Sequence, residues 1–221
     1  MRRKTIALIP ARLGSKGLKQ KNILDIGTLP MFVYSILAAR GVPEIDDVYV
    51  SSEAETVLQL AIQYGARPLR RPEEFATDRA STEQVVQHFL DEVSCSTVVL
   101  IQPTSPMLLP CDLKEGLELY KTRTYQSIFS AYKTYDMLVW DEEGMYPLNY
   151  DPKLRGRRQD RRRSLLVENG AFYIFSLSGF KKTRCRLHGR IGYYEMPFWR
   201  SFQVDDKIDM DNIRTLMTSV G

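Results

Sequence analysis

The chain has 221 residues, enough for one elaborated domain of roughly 150–200 residues and cramped for two. Apolar residues make up 43 % and charged residues 26 %, which excludes a disordered chain and a coiled coil. Lys plus Arg (31) exceeds Asp plus Glu (27) by only four, so the charge does not call for a polyanionic partner.

Along the chain, Thr5–Pro10 reads as a short buried strand. A glycine- and lysine-rich loop, ARLGSKGLKQKN, follows it. Met31–Arg40 reads as a helix with Pro30 suited to its first turn, and Asp47–Ser51 as a second strand. Ala54, Val57, Leu58, Ala61 and Ile62 then recur at helical spacing, and Gly65 stops that helix. Ala66–Arg70 is extended. Ser81 with Gln84 forms a capping box ahead of Val85, Val86, Phe89 and Leu90. Thr97–Gln102 is the strongest buried strand, and Asp112 with Glu115 opens another helix. This alternation implies βαβ units, a parallel sheet and right-handed crossovers.

After Ser127 the pattern changes. Ser127–Tyr132, Leu138–Trp140, Ala171–Phe175 and Ile191–Met196 read as strands, and Asp209–Val220 as a closing helix. Asp209 is expected to cap that helix, with Asp206 exposed and Asp211 favouring its N-terminal dipole. The expectation is a single α/β domain over 1–221, with a β-rich insertion at about 131–200 suited to subunit contacts. The three cysteines are far apart and odd in number, which fits a reducing interior better than a disulfide framework. The apolar start is too short for a signal-peptide core, and no run approaches the ~18 residues of a membrane span. A cytoplasmic protein is expected.

In parallel α/β sheets, ligands sit beyond the carboxyl ends of strands, where the first loop lies. Gly14 and Gly17 allow close backbone approach, Arg12, Lys16, Lys19 and Lys21 supply cations, and Ser15 and Asn22 supply neutral hydrogen bonds. The spacing matches neither a Walker A loop nor a dinucleotide fingerprint. Triphosphate binding and a solvated basic loop both fit this composition. Arg70 and Arg71 can clamp phosphate, recognise a base, or pair with Glu73 and Glu74. Gln102 ends a core strand, placed either for a sugar or for its own loop. Six arginines crowd Arg155–Arg163 without an interleaved aromatic, so a solvated face, a nucleic-acid patch and a carboxylate-binding loop all stand. Neither His88 nor His188 belongs to a nucleophilic constellation, and no covalent intermediate is expected.

Taken together and in order, IPARLGSKGLKQKN, VYVSSEAE, RRPEEFATDRAST, LIQPTSP, GRRQD, ENGAFYI and YYEM resemble the acylneuraminate cytidylyltransferase family of sugar-activating nucleotidyltransferases. The 3-deoxy-manno-octulosonate enzymes are similar but looser. The resemblance implies a Rossmann-like three-layer sandwich with a mostly parallel sheet and a β-rich dimerisation insertion. It implies that CTP and a nine-carbon keto sugar acid such as N-acetylneuraminate give a CMP-sugar and pyrophosphate, with Mg²⁺ and a homodimer, and without nucleic acid or membrane.

By the same resemblance, Arg12, Lys16 and Lys21 contact the triphosphate. Ala11, Gly14, Ser15, Asn22, Arg71, Ser81 and Thr82 complete the nucleotide site. Gln102, Arg158, Gln159, Asn169 and Tyr173 are expected at the sugar. The insertion loop is expected to reach a neighbouring subunit's site, while Arg161, Arg162 and Arg163 are expected to be solvated. The sequence departs from the family at two places. Met107 and Leu108 stand where relatives often carry Leu-Arg. Gln203 stands where the family has the first aspartate of an Asp-x-Asp metal motif, which leaves Asp205 as the expected ligand and Gln203 as a possible second. Legionaminate, deaminated neuraminate, pseudaminate and 3-deoxy-manno-octulosonate are alternative substrates. A degenerate nucleotide- or RNA-binding protein is the rival from another class.

Overall fold

A computed structural model describes residues 4–15, 17–160 and 164–220. Its elements in chain order begin with β1 (Thr5–Pro10), β2 (Asp25–Ile26), β3 (Leu29–Pro30), α1 (Met31–Arg40), β4 (Asp47–Ser52), α2 (Glu55–Gln63) and β5 (Arg67–Arg70). Next come α3 (Thr82–Glu92), β6 (Thr97–Ile101), α4 (Pro110–Lys121), β7 (Ser127–Thr134), β8 (Trp140–Asp141) and β9 (Tyr146–Pro147). The chain closes with β10 (Leu165–Ser176), α5 (Leu177–Thr183), β11 (Ile191–Glu195) and α6 (Lys207–Val220).

Seven strands form one sheet in the order β11-β7-β10-β6-β1-β4-β5. β10 runs antiparallel to both its neighbours, and every other pair is parallel. Strand alternation divides the core. Ala7 and Ile9 of β1, with Val99 and Ile101 of β6, face α1, α2 and α4 through Phe32, Val57 and Leu113. Ile6 and Leu8, with Val98 and Leu100, face α3 and α5 through Phe89 and Phe180. Helix, sheet and helix make the expected three layers. A third cluster, Ile26, Met31, Met107, Val204, Met210 and Ile213, ties α6 to the β2–β3 hairpin beside the first loop.

Three expectations need correction. α4 starts at Pro110, two residues earlier than Asp112. Pro110 supplies the preset first turn, while Asp112 Oδ2 accepts from Leu109 N at 2.9 Å from inside the helix. α6 is capped by Asp206, whose Oδ1 accepts from Asp209 N at 2.9 Å. Asp209 answers by accepting from Asp206 N at 3.1 Å, so donor and acceptor roles are reciprocal. The strand expected at Leu138–Trp140 shrinks to β8, paired only with β9. The short α5, capped by Ser176, was not anticipated.

Within the stretch 131–200, β10 and β11 are strands of the central sheet. Residues 135–164 lie between β7 and β10 and carry β8 and β9 as a separate two-stranded ribbon. Among the described residues, no helix is long and apolar enough to cross a membrane.

Candidate active site

The loop after β1 is folded back on itself. Ala11 N donates to Ser51 O at 2.9 Å, keeping the chain on the sheet for one residue past the strand. Leu13 N then donates to Glu53 Oε1 at 2.7 Å, and Asn22 Nδ2 donates to Arg12 O at 2.7 Å. Gly17 must be glycine for packing: a Cβ there would sit 2.5 Å from the carbonyl oxygen of Asp205. Gly14 faces open space, so close packing does not require glycine there.

The folded loop walls a cleft of about 270 Å³ at the carboxyl ends of β1 and β6. Arg12, Ser15, Lys21, Asn22, Arg71, Ser81, Thr82 and Gln102 all line it. So do Phe75, Thr77, Asp78 and Thr104, which sequence reasoning did not single out. The first three of these lie in the RRPEEFATDRAST motif and Thr104 in the LIQPTSP motif, so motif context was the available signal. Arg12 Nη1 pairs with Asp78 Oδ1 at 2.7 Å across the mouth. Lys21 Nζ donates to Val204 O at 2.8 Å and pairs with Asp205 Oδ1 at 2.9 Å, joining the loop to the segment before α6. Ser81 caps α3 as expected, its Oγ accepting from Gln84 N at 3.2 Å, and the first turn of α3 opens on the cleft.

Arg71 is the most telling member. It is only 4 % exposed, and its Nε and Nη2 make no hydrogen bond. Glu53 Oε2 is 3.4 Å from Nη2, an ion pair without hydrogen-bond contact. Burial pushes the Arg71 pKa down, Glu53 opposes this, and the nearby Arg12 charge adds to it. The group still carries its charge at neutral pH, because arginine starts so high. Asn22 is also buried, and its Oδ1 lacks a partner. Buried polar atoms are rarely left unpaired, and both of these residues stand in the wall of the cleft.

A second cleft of about 300 Å³ adjoins the first and shares Gln102 and Thr104 with it. Glu168, Gly170, Tyr173 and Gln203 complete its lining. The β10 register shifts between Glu168 and Tyr173, and Gly170 takes φ +69° there. A Cβ on Gly170 would meet the Gln203 amide, which would have to move. Gln203 Nε2 donates to the carbonyl of Asn169, which fixes the amide orientation because a carbonyl can only accept. Tyr173 donates its hydroxyl to Glu168 Oε1. Burial raises the Tyr173 pKa, and the Glu168 bond raises it further. The Arg186 guanidinium lies 4.5 Å from the Tyr173 ring centre and 3.5 Å from Glu83.

Some expected residues are not brought to these clefts. Asn169 is buried and fully used: its Oδ1 accepts from Ser130 Oγ at 2.6 Å, and its Nδ2 donates to Ser201 Oγ at 2.9 Å. It shapes the bulge rather than facing a ligand. Arg158 and Gln159 stand on a short 3-10 turn and line neither cleft. Arg158 Nε pairs instead with Asp136 Oδ2 at 3.0 Å. Asp205 lines neither cleft; its carboxylate pairs with Lys21, and its side chain is 75 % exposed. Lys16 and Arg161–Arg163 lie outside the described residues.

A cytidylyltransferase family model matches residues 6–149, which include the whole first cleft except its ties to the C-terminal segment. The chain belongs to the cytidylyltransferase family. Among curated relatives, this cytidylyltransferase chain is 34 % identical to an N-acylneuraminate cytidylyltransferase of Oncorhynchus mykiss, over 95 % of the chain and 49 % of the relative. It is also 34 % identical to the Escherichia coli protein of that name, over 96 % of the chain and 51 % of the relative. The chain thus spans about half the length of the curated relatives it matches. Two solved structures share the fold. A CMP:2-keto-3-deoxy-manno-octonic acid synthetase complexed with CTP superposes with a TM-score of 0.72 at 18 % identity, covering 99 % of this chain and 100 % of that one. A 4-diphosphocytidyl-2C-methyl-D-erythritol synthase from Anaerococcus prevotii gives 0.71 at 11 % identity, over 98 % and 99 %.

Proposed function

We propose that this protein is an N-acylneuraminate cytidylyltransferase, using CTP and N-acetylneuraminate or a close 2-keto sugar acid. The anomeric oxygen of the sugar attacks the α-phosphorus in line. The new bond is anomeric C–O–P, the bond broken joins the α-phosphorus to the bridging oxygen, pyrophosphate leaves, and the hydroxyl proton passes to solvent. The observation that carries this reading is a single cleft that gathers Arg12, Lys21, Arg71, Asn22 and the first turn of α3 at the carboxyl ends of β1 and β6. Guanidinium donors and an amide in that wall suit the hydrogen-bonding edge of cytosine. Arg12 and Lys21 neutralise triphosphate charge, Ser15, Ser81 and Thr82 offer hydroxyls, and the α3 N-terminus offers N–H groups. The second cleft, sharing Gln102, holds the sugar beside the α-phosphate.

Of the two expected ligands, Asp205 pairs with Lys21 and would give Mg²⁺ one carboxylate, phosphates and water supplying the rest of the shell, while Gln203 lines the second cleft. Bound there, Mg²⁺ would offset charge on the phosphates. Asp205→Ala is expected to abolish the Mg²⁺ requirement together with activity, and an unchanged metal titration would remove Asp205 as a ligand. We place the working protein in the cytoplasm as a homodimer. For the homodimer, the supporting feature is the ribbon segment, which exposes the apolar Met145 (70 %) and Leu154 (80 %). In that arrangement Arg158 serves the neighbouring subunit's sugar carboxylate.

The test is pyrophosphate release with CTP and Mg²⁺ over N-acetylneuraminate, its deaminated analogue, legionaminate, pseudaminate and 3-deoxy-manno-octulosonate. N-acetylneuraminate is expected to give the highest kcat/KM. Preference for 3-deoxy-manno-octulosonate would move the assignment to that branch, and release with no sugar would overturn the enzyme reading.

A further inference from the structure

We propose that Glu168 is a specificity-determining residue: it makes the second cleft a hydrogen-bond-accepting pocket that takes the hydroxyl- and N–H-bearing part of the sugar acid and turns its carboxylate away. This rests on the cytidylyltransferase reading above and goes beyond it, by saying which end of the substrate enters the second cleft and which residue decides that.

None of the six residues lining the cleft is cationic: Gln102, Thr104, Glu168, Gly170, Tyr173 and Gln203. The nearby cation, Arg186, lies against the Tyr173 ring and Glu83 and is not part of the lining. Hydrogen bonds inside the wall then fix its polarity. Tyr173 spends its only O–H on Glu168, so its oxygen presents lone pairs. Gln203 spends an amide N–H on the Asn169 carbonyl, which aims Nε2 at the backbone and leaves Oε1 as an acceptor. Glu168 itself keeps a second carboxylate oxygen. Three acceptors therefore meet at one wall, and Glu168 creates two of them, its own oxygen and the oriented phenol.

A ligand carboxylate brought to the Glu168 side of the cleft would meet three acceptor oxygens and, among the described residues, no cation in the lining, the donors Gln102 and Thr104 being shared with the first cleft. A polyol or an N-acyl N–H would meet matched acceptors. Sites that hydrogen-bond a ligand's O–H or N–H discriminate strongly against analogues lacking it, because the site's own groups are then left unpaired. The sugar is thus oriented with its donor-bearing end in the second cleft and its carboxylate directed to a cation outside it.

The test compares wild type, Glu168→Gln and Glu168→Asp on N-acetylneuraminate and on two analogues, one methylated on its tail hydroxyls and one on its amide nitrogen. Wild type is expected to lose at least about tenfold in kcat/KM on one of the two analogues. In Glu168→Gln, sugar KM is expected to rise about tenfold with CTP KM within about twofold, and the analogue discrimination to collapse to about twofold or less. Glu168→Asp keeps a carboxylate and is expected to keep the discrimination. An unchanged sugar KM in Glu168→Gln, retained discrimination there, or its loss in Glu168→Asp would each overturn the proposal while leaving the enzyme reading intact. Failure of wild type to turn over any keto acid would instead overturn the enzyme reading, and this inference with it.

Discussion

The two halves of the sheet build their parts of the site in different ways. The half proposed to hold the nucleotide uses β1, β4, β5 and β6, all parallel, and the loops after β1, β5 and β6 line its cleft. Its wall is made of short sequence segments: the loop after β1, the turn after β5 and the start of α3. The half proposed to hold the sugar centres on β10, the one antiparallel strand of the central sheet, and on a bulge held by a residue 34 positions away, Gln203. Its lining is assembled from distant pieces of chain. One half is a repeated consequence of βαβ winding, and the other is a local irregularity propped from the C-terminal segment. The first should tolerate little change in charge, and the second little change in shape.

The largest expected effect lies on the nucleotide side. Lys21→Ala removes a cation from the first cleft and unties Asp205 and the Val204 carbonyl. Loss of kcat/KM by about 10²–10³ is expected, comparable to removing one preorganised electrostatic group. Steady-state kinetics on a variant with an unchanged circular dichroism spectrum check this. Near-normal turnover would erase the claimed difference between the halves.

Arg71→Met comes next. Removing the guanidinium strands its ion-pair partner Glu53, which lowers stability, and takes from a bound ligand charge-assisted hydrogen bonds of about 1.5–3 kcal/mol. CTP KM is expected to rise about 10- to 150-fold with sugar KM unchanged. A variant that fails to fold, or one whose sugar KM moves instead, would mean that Arg71 serves the scaffold or the other cleft.

How far the site was legible follows the same division. The first cleft was legible in part because its residues sit just after strands and at a helix cap, where local rules place them; the roles of Arg12, Asn22, Arg71 and Ser81 came from the family resemblance. Asn169 was misread because its motif position says nothing about side-chain direction. The bulge turns it inward to Ser130 and Ser201, partners 39 and 32 residues away. Glu168 opens the same motif but carries no role in the sequence reading, since its link to Tyr173 exists only once the bulge brings them together. The α6 cap was shifted because Asp205, Asp206 and Asp209 are equivalent on paper, and only backbone geometry chooses among them.

On the sugar side a smaller effect is expected from Arg158→Ala. The residue stands off both clefts of its own chain, paired with Asp136 on the surface. If it reaches a neighbouring subunit's substrate, sugar KM rises about tenfold while CTP KM stays constant, the size of one hydrogen bond to a charged group. An increase confined to CTP KM would move the loop to the nucleotide half. Constancy of both would leave it a solvated face.

The smallest expected effect is on stability rather than turnover, and it sharpens the contrast through pH. Tyr173 is buried in the sugar half, and both burial and its bond to Glu168 raise its pKa above the ordinary value of 10. Tyr194, bonded to Asp112 and Glu115 at 3.2 and 3.0 Å, is raised as well, chiefly by burial. A raised phenol pKa means the folded chain holds its proton where the unfolded chain has released it. The associated stability is therefore fully present below pH ~10 and declines as pH rises through and beyond it. Chemical denaturation at pH 8 and at pH 10.5 should show this decline in wild type and a shallower one in Tyr173→Phe, which has no proton to lose. An equal decline in the two proteins would mean that alkaline sensitivity arises outside the β10 bulge, and that the phenol–carboxylate pair contributes to recognition without holding the fold.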